Sequence, residues 1–326
     1  MMNLRLMEKG LANESIVEGL MRNWQHEKET LRFWRASSNF VFAFSSNEHR
    51  FFLRYNHESE KSIPQFEAQL DFMSYLSGQG FPVVQAVPTR MGHYIQTVET
   101  EEGTYVGVVF REANGMNLEV GLTEEKAWEW GKALAHLHSL SSDYQTESLS
   151  LKSHETIVAE IQAILDRHPE EREAFEELGS LKAWFSSLPI SKENYGLIHY
   201  DFQHDNLFYN EKSRTYEAID FDDAFYAWYV LDIVTALDGF LHCSNDSVQT
   251  PEVKAFLTGY RSIRPIEESL LKQAEYFHRF ANLYKFARLL RSLEGTDPVN
   301  MPDWLKDVVE KFAAVRDRLR KGFNQI

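Results

Sequence analysis

Apolar and polar positions change rhythm partway along the chain. Up to about residue 112, short runs of aromatic and β-branched residues recur at Thr30–Arg35, Phe40–Phe44, Arg50–Tyr55, Tyr94–Val98 and Thr104–Phe110. Each is bounded by Ser, Asn, Gly or Pro, which predicts strands. One helix interrupts them: Ser62, Pro64 and Gln65 supply a cap, a first-turn proline and the glutamine of a capping box. Phe66, Leu70, Met73 and Leu76 then follow at helical spacing until Gly78 and Gly80 stop the run. From Thr123 the spacing is helical. Thr123-Glu124-Glu125 opens a helix with Ala127, Gly131, Leu134 and His138 on its inner face. Further helices are expected over 154–187, 226–241, 251–261, 266–292 and 301–321. Residues 195–221 break this pattern with the short apolar runs Gly196–Ile198, Leu207–Tyr209 and Tyr216–Ile219. The join falls in Arg111–Leu122, which holds Asn114-Gly115 and Gly121. The expected architecture is α+β, with residues 1–112 as a small antiparallel β-lobe carrying one helix and residues 113–326 as a larger, mainly α-helical lobe.

Composition narrows the function. A length of 326 residues exceeds a typical domain of roughly 150 and leads one to expect two units. With 34 basic against 49 acidic residues the chain carries −15, a poor match to nucleic-acid phosphates. A single cysteine, Cys243, excludes an intrachain disulfide or a cysteine-rich zinc site, and is expected to be a small buried apolar residue. No run approaches the ~18 apolar residues of a membrane helix. The opening MMNLRLMEKG lacks the apolar core of a secretory signal, so a cytoplasmic protein is expected. Nothing in the sequence fixes the oligomeric state.

The chemistry concentrates in His199-Tyr200-Asp201-Phe202-Gln203-His204-Asp205-Asn206 and Ile219-Asp220-Phe221-Asp222-Asp223. Leu207–Asn210 and Thr215–Asp220 read as a hairpin turning between Lys212 and Ser213, which sets Asn206 opposite Ile219 and Asp205 opposite Asp220. That register brings Asp220 and Asn206 to one end of the hairpin, beside the loop of Asp201. Hard oxygen ligands of this kind suit Mg²⁺, whose coordination is usually completed by waters and substrate phosphates. An aspartate five residues before the asparagine can take the proton of an attacking hydroxyl. The parts match the H-x-D-x-x-x-x-N loop and following metal-binding Asp-Phe of phosphoryl transfer.

On these residues the chain resembles the aminoglycoside phosphotransferase and choline kinase-like superfamily of small-molecule kinases, from about residue 30 to residue 290. Leu134-Ala135-His136-Leu137-His138 and Asp232-Ile233-Val234 add to the resemblance. It implies a protein-kinase-like bilobal fold and an ATP- and Mg²⁺-dependent kinase with a small-molecule hydroxyl acceptor. It further implies Asp201 as catalytic base, His199 orienting the loop, Asn206 and Asp220 as metal ligands, and Asp232 bracing the loop from the next helix. The family's nucleotide-gripping lysine falls on Arg54, its partner helix glutamate on Glu67, and the phosphate-covering turn on Ala36–Asn39 with Asn39 facing the phosphates. Arg54 keeps the charge of lysine but not its shape. Tyr200 stands where the family has a small residue, which bears on the acceptor pocket rather than on the metal site.

Other functions compete with this reading. A pseudokinase that binds nucleotide without turnover is motivated by Arg54 and the glycine-free turn, and a kinase of protein serine or threonine shares the same motifs. A metallohydrolase would use His199, Asp201, His204 and Asp220 as ligands. For a kinase, five aspartates between positions 201 and 223 lean toward an amine-bearing acceptor, since negative clefts concentrate cations. Asp222 and Asp223 could support the metal site, meet the acceptor or merely form a solvated turn.

Overall fold

The computed structural model describes residues 1–117, 122–146, 150–241, 250–296 and 301–323; Cys243 lies outside them. A six-stranded antiparallel sheet runs β1 (Arg32–Ala36), β2 (Phe40–Ser46), β3 (His49–His57), β6 (Gly103–Arg111) and β4 (Ala86–Val87), with β5 (Ile95–Thr100) also paired to β6. Alternating aromatic and aliphatic residues drive it: Phe40, Leu53, Tyr55, Tyr105 and Val109 are buried on one face. The strands expected from sequence all form, shifted at their ends by one or two residues.

Two helices before the sheet, α1 (Leu4–Ala12) and α2 (Glu14–Met21), answer to no sequence expectation. Asn3 and Asn13 cap them through their side-chain oxygens. Met7, Ile16 and Leu20 then cover the sheet face that α3 (Ile63–Gly78) leaves bare, together with Met301 and Leu305 near the start of the last helix. The α3 capping box is realised, with Ser62 N–H donating to Gln65 Oε1 at 2.8 Å. Phe66, Phe72, Met73 and Leu76 of α3 join a second core. That core continues through α4 (Glu124–Ser141), α5 (His154–Leu165), α6 (Arg172–Phe185), α7 (Tyr229–Ala236), α9 (Pro251–Arg261) and α11 (Ala274–Leu293). The small helices α8 (Asp238–Leu241) and α10 (Glu268–Leu271) and the long α12 (Asp303–Arg320) complete the order.

Three helical expectations are corrected. The span 154–187 is two helices, because Pro169 lacks an N–H and its ring blocks the preceding turn. The span 226–241 begins as a strand: β11 (Phe225–Trp228) pairs antiparallel with β8 (Tyr195–Ile198), and the helix starts only at Tyr229. The span 266–292 divides between α10 and α11 at Lys272-Gln273.

The expected hairpin forms as β9 (Leu207–Asn210) and β10 (Thr215–Ala218), with Leu207 opposite Ala218. Ile219 N–H reaches Asn206 O at 3.0 Å, so the anticipated facing of Asn206 and Ile219 holds. The segment after β6 is fastened to this hairpin: β7 (Met116–Asn117) pairs with β9, and Glu217 accepts from both Asn114 N–H at 2.6 Å and Asn114 Nδ2 at 2.9 Å.

Helices α4 and α9 meet backbone to backbone. A Cβ on Gly131 would lie 1.9 Å from Phe256 O, and one on Gly259 would lie 1.9 Å from Trp128 O. Neither carbonyl can move without breaking its own helix. Gly131→Ala or Gly259→Ala is therefore expected to destabilise the protein by about 1–3 kcal/mol or more, lowering Tm by several degrees in thermal denaturation. An unchanged Tm in both would refute this account of the contact.

Candidate active site

The loop between β8 and β9 is held from beneath by one buried carboxylate. Asp232, on α7, accepts His199 N–H through Oδ2 and Tyr200 N–H through Oδ1, each at 2.8 Å. Its Oδ2 also accepts from His138 Nε2 at 3.0 Å, and His138 Nδ1 accepts from Tyr260 O–H at 2.7 Å. Burial lowers the His138 pKa and is only partly opposed by Asp232, so the ring is neutral and each nitrogen has one partner. Tyr260, absent from the sequence reading, thereby ties α9 to the loop.

Tyr200 adopts φ +68, the left-handed region that a small residue tolerates and tyrosine resists. Its ring packs on Phe225 and Tyr284, with centroids 5.1 and 5.7 Å apart, and this together with the Asp232 bond holds the conformation. Asp220 is left-handed as well, at φ +65. His199 is buried: Nε2 donates to Ile219 O at 2.9 Å and Nδ1 accepts Asp201 N–H at 3.3 Å. Both ring nitrogens thus tie the loop to itself and to Ile219 after β10. This leaves the metallohydrolase reading without its first ligand, and among the described residues no three His, Cys, Asp or Glu converge on a metal position.

Asp201 and Asn206 are brought together. Asn206 Nδ2 donates to Asp201 O at 3.0 Å and Asp201 Oδ2 at 2.8 Å, which turns the amide oxygen of Asn206 away as a free acceptor. Burial first, then the charges of Asp223, Asp220 and Asp205, push the Asp201 carboxyl up to about 7, against the smaller opposing effect of Asn206. Asp205 has its backbone oxygen bound by Asn117 Nδ2 at 2.8 Å. A cavity of about 280 Å³ opens beside Asp201, walled by Tyr200, Asp223, Asp238, Lys285 and Arg288. A second of about 460 Å³ adjoins it, sharing Ser38, Asp223 and Arg288.

The three aspartates of Asp220-Phe221-Asp222-Asp223 diverge. Asp220 accepts from Arg54 at 2.6 Å and, more distantly, Arg35 at 3.5 Å. Asp222 meets Arg54, Asn39 and Lys61. Asp223 pairs with Arg288 of α11 at 2.8 Å. Burial alone would raise the Asp222 pKa, but Arg54 and Lys61 hold it far below the usual carboxylate range; Arg288 likewise lowers that of Asp223.

One expected pairing is absent. Glu67 lies on the exposed face of α3, whereas Arg54 turns to Asp220 and Asp222. The residue that α3 does point inward is Gln69, buried and bonded to Lys61 Nζ. Positions two apart on a helix do not share a face, so Glu67 and Gln69 diverge. Asn39 is buried, with Nδ2 on Asp222 and Oδ1 accepting from Asn56 Nδ2 at 3.2 Å. Asn206 and Asp220 together present an amide oxygen and a carboxylate, a hard-oxygen pair that fits a divalent cation completed by phosphate and water.

The model of the phosphotransferase enzyme family matches residues 30–268. The amicoumacin kinase of Bacillus subtilis (strain 168) is 25% identical over 230 residues, covering 70% of this chain and 68% of that protein. Homoserine kinase of Caulobacter vibrioides (strain NA1000 / CB15N) is 24% identical over 257 residues, covering 72% and 73%. Among solved structures, the amicoumacin kinase hAmiN in complex with AMP-PNP, Ca²⁺ and Ami superposes with a TM-score of 0.76 at 19% identity, covering 97% of this chain and 93% of that one. Among the described residues, no helix is long and apolar enough to cross a membrane.

The raised Asp201 pKa makes a stability prediction. A carboxyl whose folded pKa exceeds its unfolded value favours folding when protonated, and that contribution is lost as pH rises through about 7. Asp201→Asn is expected to raise Tm by a few degrees at about pH 8.5, with the gain shrinking below pH 7. A gain that grows on acidification would show the sign to be wrong.

Proposed function

Since the chain belongs to the phosphotransferase enzyme family, a kinase of hydroxyl acceptors, we propose that it uses ATP with Mg²⁺ and phosphorylates a small polar, amine-bearing metabolite or antibiotic-like alcohol. The observation that carries this reading is Asp201: half-buried, oriented by Asn206, pushed up to about 7 and facing a cavity. Residues 1–112 would hold the nucleotide, and residues 113–326 would supply the catalytic loop and the acceptor pocket.

In this mechanism Asp201 Oδ1 takes the proton of the acceptor hydroxyl as its oxygen attacks the γ-phosphorus in line, while Oδ2 stays fixed by Asn206 Nδ2. Asp220 and the Asn206 amide oxygen hold the metal, which when bound neutralises charge on the transferring phosphoryl group. Arg54 lies beside Asp220 and offers its guanidinium to the phosphates. His199 and Asp232 keep the loop in register. The acceptor occupies the cavity beside Asp201, whose walls carry Asp223 and Asp238 alongside Lys285 and Arg288. The relatives are named as kinases of amicoumacin and of homoserine, which supports a small-molecule acceptor.

Asp201→Asn should cut turnover on the order of 10²–10⁴-fold while leaving AMP-PNP affinity nearly unchanged. The kcat/KM of the unaltered enzyme should rise with pH through about 7, where Asp201 ionises. Release of ADP from Mg-ATP across a panel of hydroxylated amines, amino acids and sugars supplies the readout. Full turnover by the variant, or nucleotide hydrolysis indifferent to every acceptor, would overturn the assignment.

A further inference from the structure

We propose that Asp222 is a positioning residue for the nucleotide: it supplies to Arg54 the counter-charge expected from a helix glutamate, and holds Arg54 and Lys61 together as a pair of cations at the phosphate end of the site. This rests on the kinase reading given above. Asp222 receives donors from three separate pieces of the small sheet region. Asn39 comes from the turn after β1, Arg54 from β3, and Lys61 from the loop before α3, its Nζ 2.6 Å from Asp222 Oδ1. All the ionic partners are enclosed: the Asp222 and Lys61 side chains are each 11% exposed and Arg54 is 13% exposed.

The charge balance explains the arrangement. Asp220 alone is a poor anchor for Arg54, because its carboxylate is the metal ligand and a cation competes with the guanidinium for it. Asp222 is bound to the same Arg54 nitrogen, so Arg54 keeps an enclosed anion when Asp220 engages the metal. Lys61 is the second cation on that anion. Its remaining contacts are neutral, with Gln69 Oε1 as acceptor and the Phe66 ring 4.7 Å away. A glutamate at position 69 would have cancelled the charge that Lys61 brings; the glutamine positions it and leaves the cluster cationic. Asp222, Arg54 and Lys61 therefore carry a net single positive charge facing Asp220, suited to a polyphosphate. Because the counter-charge comes from the metal-binding turn, the grip on phosphate and the placement of the metal ligand are set by the same five residues, Ile219–Asp223.

Removing a buried partner leaves the opposite charge uncompensated, so the test separates positioning from general damage. Binding of Mg-AMP-PNP to the full chain is measured by calorimetry for the unaltered protein, Asp222→Asn, Asp222→Glu and Lys61→Met, with circular dichroism and Tm beside each. Asp222→Asn is expected to weaken nucleotide binding at least about tenfold, with KM for ATP rising in step and the acceptor KM staying within about twofold. Asp222→Glu should recover most of the affinity, and Lys61→Met should lose several-fold. A folded Asp222→Asn with nucleotide affinity within about twofold of the unaltered protein overturns the proposal, as does a parallel rise in both KM values. Should Asp222→Asn fail to fold, Lys61→Met decides: undiminished affinity refutes the shared anchor. Absence of nucleotide binding by the unaltered chain would instead sink the kinase reading itself, a failure visible before any variant is compared.

Discussion

The loop that carries Asp201 depends on one buried carboxylate beneath it. Asp232 is fully buried, and its oxygens accept three N–H groups: two from consecutive backbone positions of the loop and one from His138. A buried anion with this many donors is stable only when all of them are in place, because each missing bond would leave charge in a low-dielectric interior. That requirement fixes the peptide between His199 and Tyr200, and with it the side on which Asp201 emerges. It also explains how a tyrosine occupies a left-handed backbone position. The strain at Tyr200 is offset by the bond from its own N–H and by aromatic contacts that a smaller residue would not make.

The second organising constraint is electrostatic. The acids that make the chain −15 are not spread evenly, and the stretch around the site would be untenable without counter-charges. Each aspartate of Ile219–Asp223 is met by a cation: Arg54 is shared by Asp220 and Asp222, Lys61 also meets Asp222, and Arg288 meets Asp223. Asp201 has none. Its partner is the neutral amide of Asn206, and its proton affinity is raised accordingly. Uneven compensation separates a carboxyl that can exchange protons near neutrality from Asp222 and Asp223, which are held as fixed anions.

Much of this was legible in the sequence, and the failures have physical reasons. The hairpin register followed from strand alternation and turn length, which is why Asn206 and Ile219 could be placed opposite one another. Glu67 failed because a match by neighbouring letters ignored helical phase. Phe66, Gln69, Met73 and Leu76 form the inward stripe, and a lone polar residue in that stripe was the available signal for Gln69. Tyr226–Trp228 falls within an expected helix because the unbroken apolar run Ala224–Leu231 fits a buried helix and a buried strand equally well. Lys61 gave no local sign at all; its importance arises from a contact 161 positions away. The helices α1 and α2 are short, and their stability comes from covering the sheet, which no local pattern reveals.

The backbone contact between α4 and α9 carries a consequence for how the molecule assembles. His138 and Tyr260 sit on those two helices and are separated by 122 positions in sequence. Closing so long a segment costs configurational entropy before any contact within it is rewarded, so such contacts belong to the slow, late part of folding. Until the two helices lock at Gly131 and Gly259, His138 Nδ1 lacks its partner, and the ring that donates to Asp232 is held from one side alone. A chain arrested before that step could present a formed β-sheet and a formed hairpin and still lack an ordered loop at Asp201. Completion of the fold and ordering of that loop are thus coupled through one docking event.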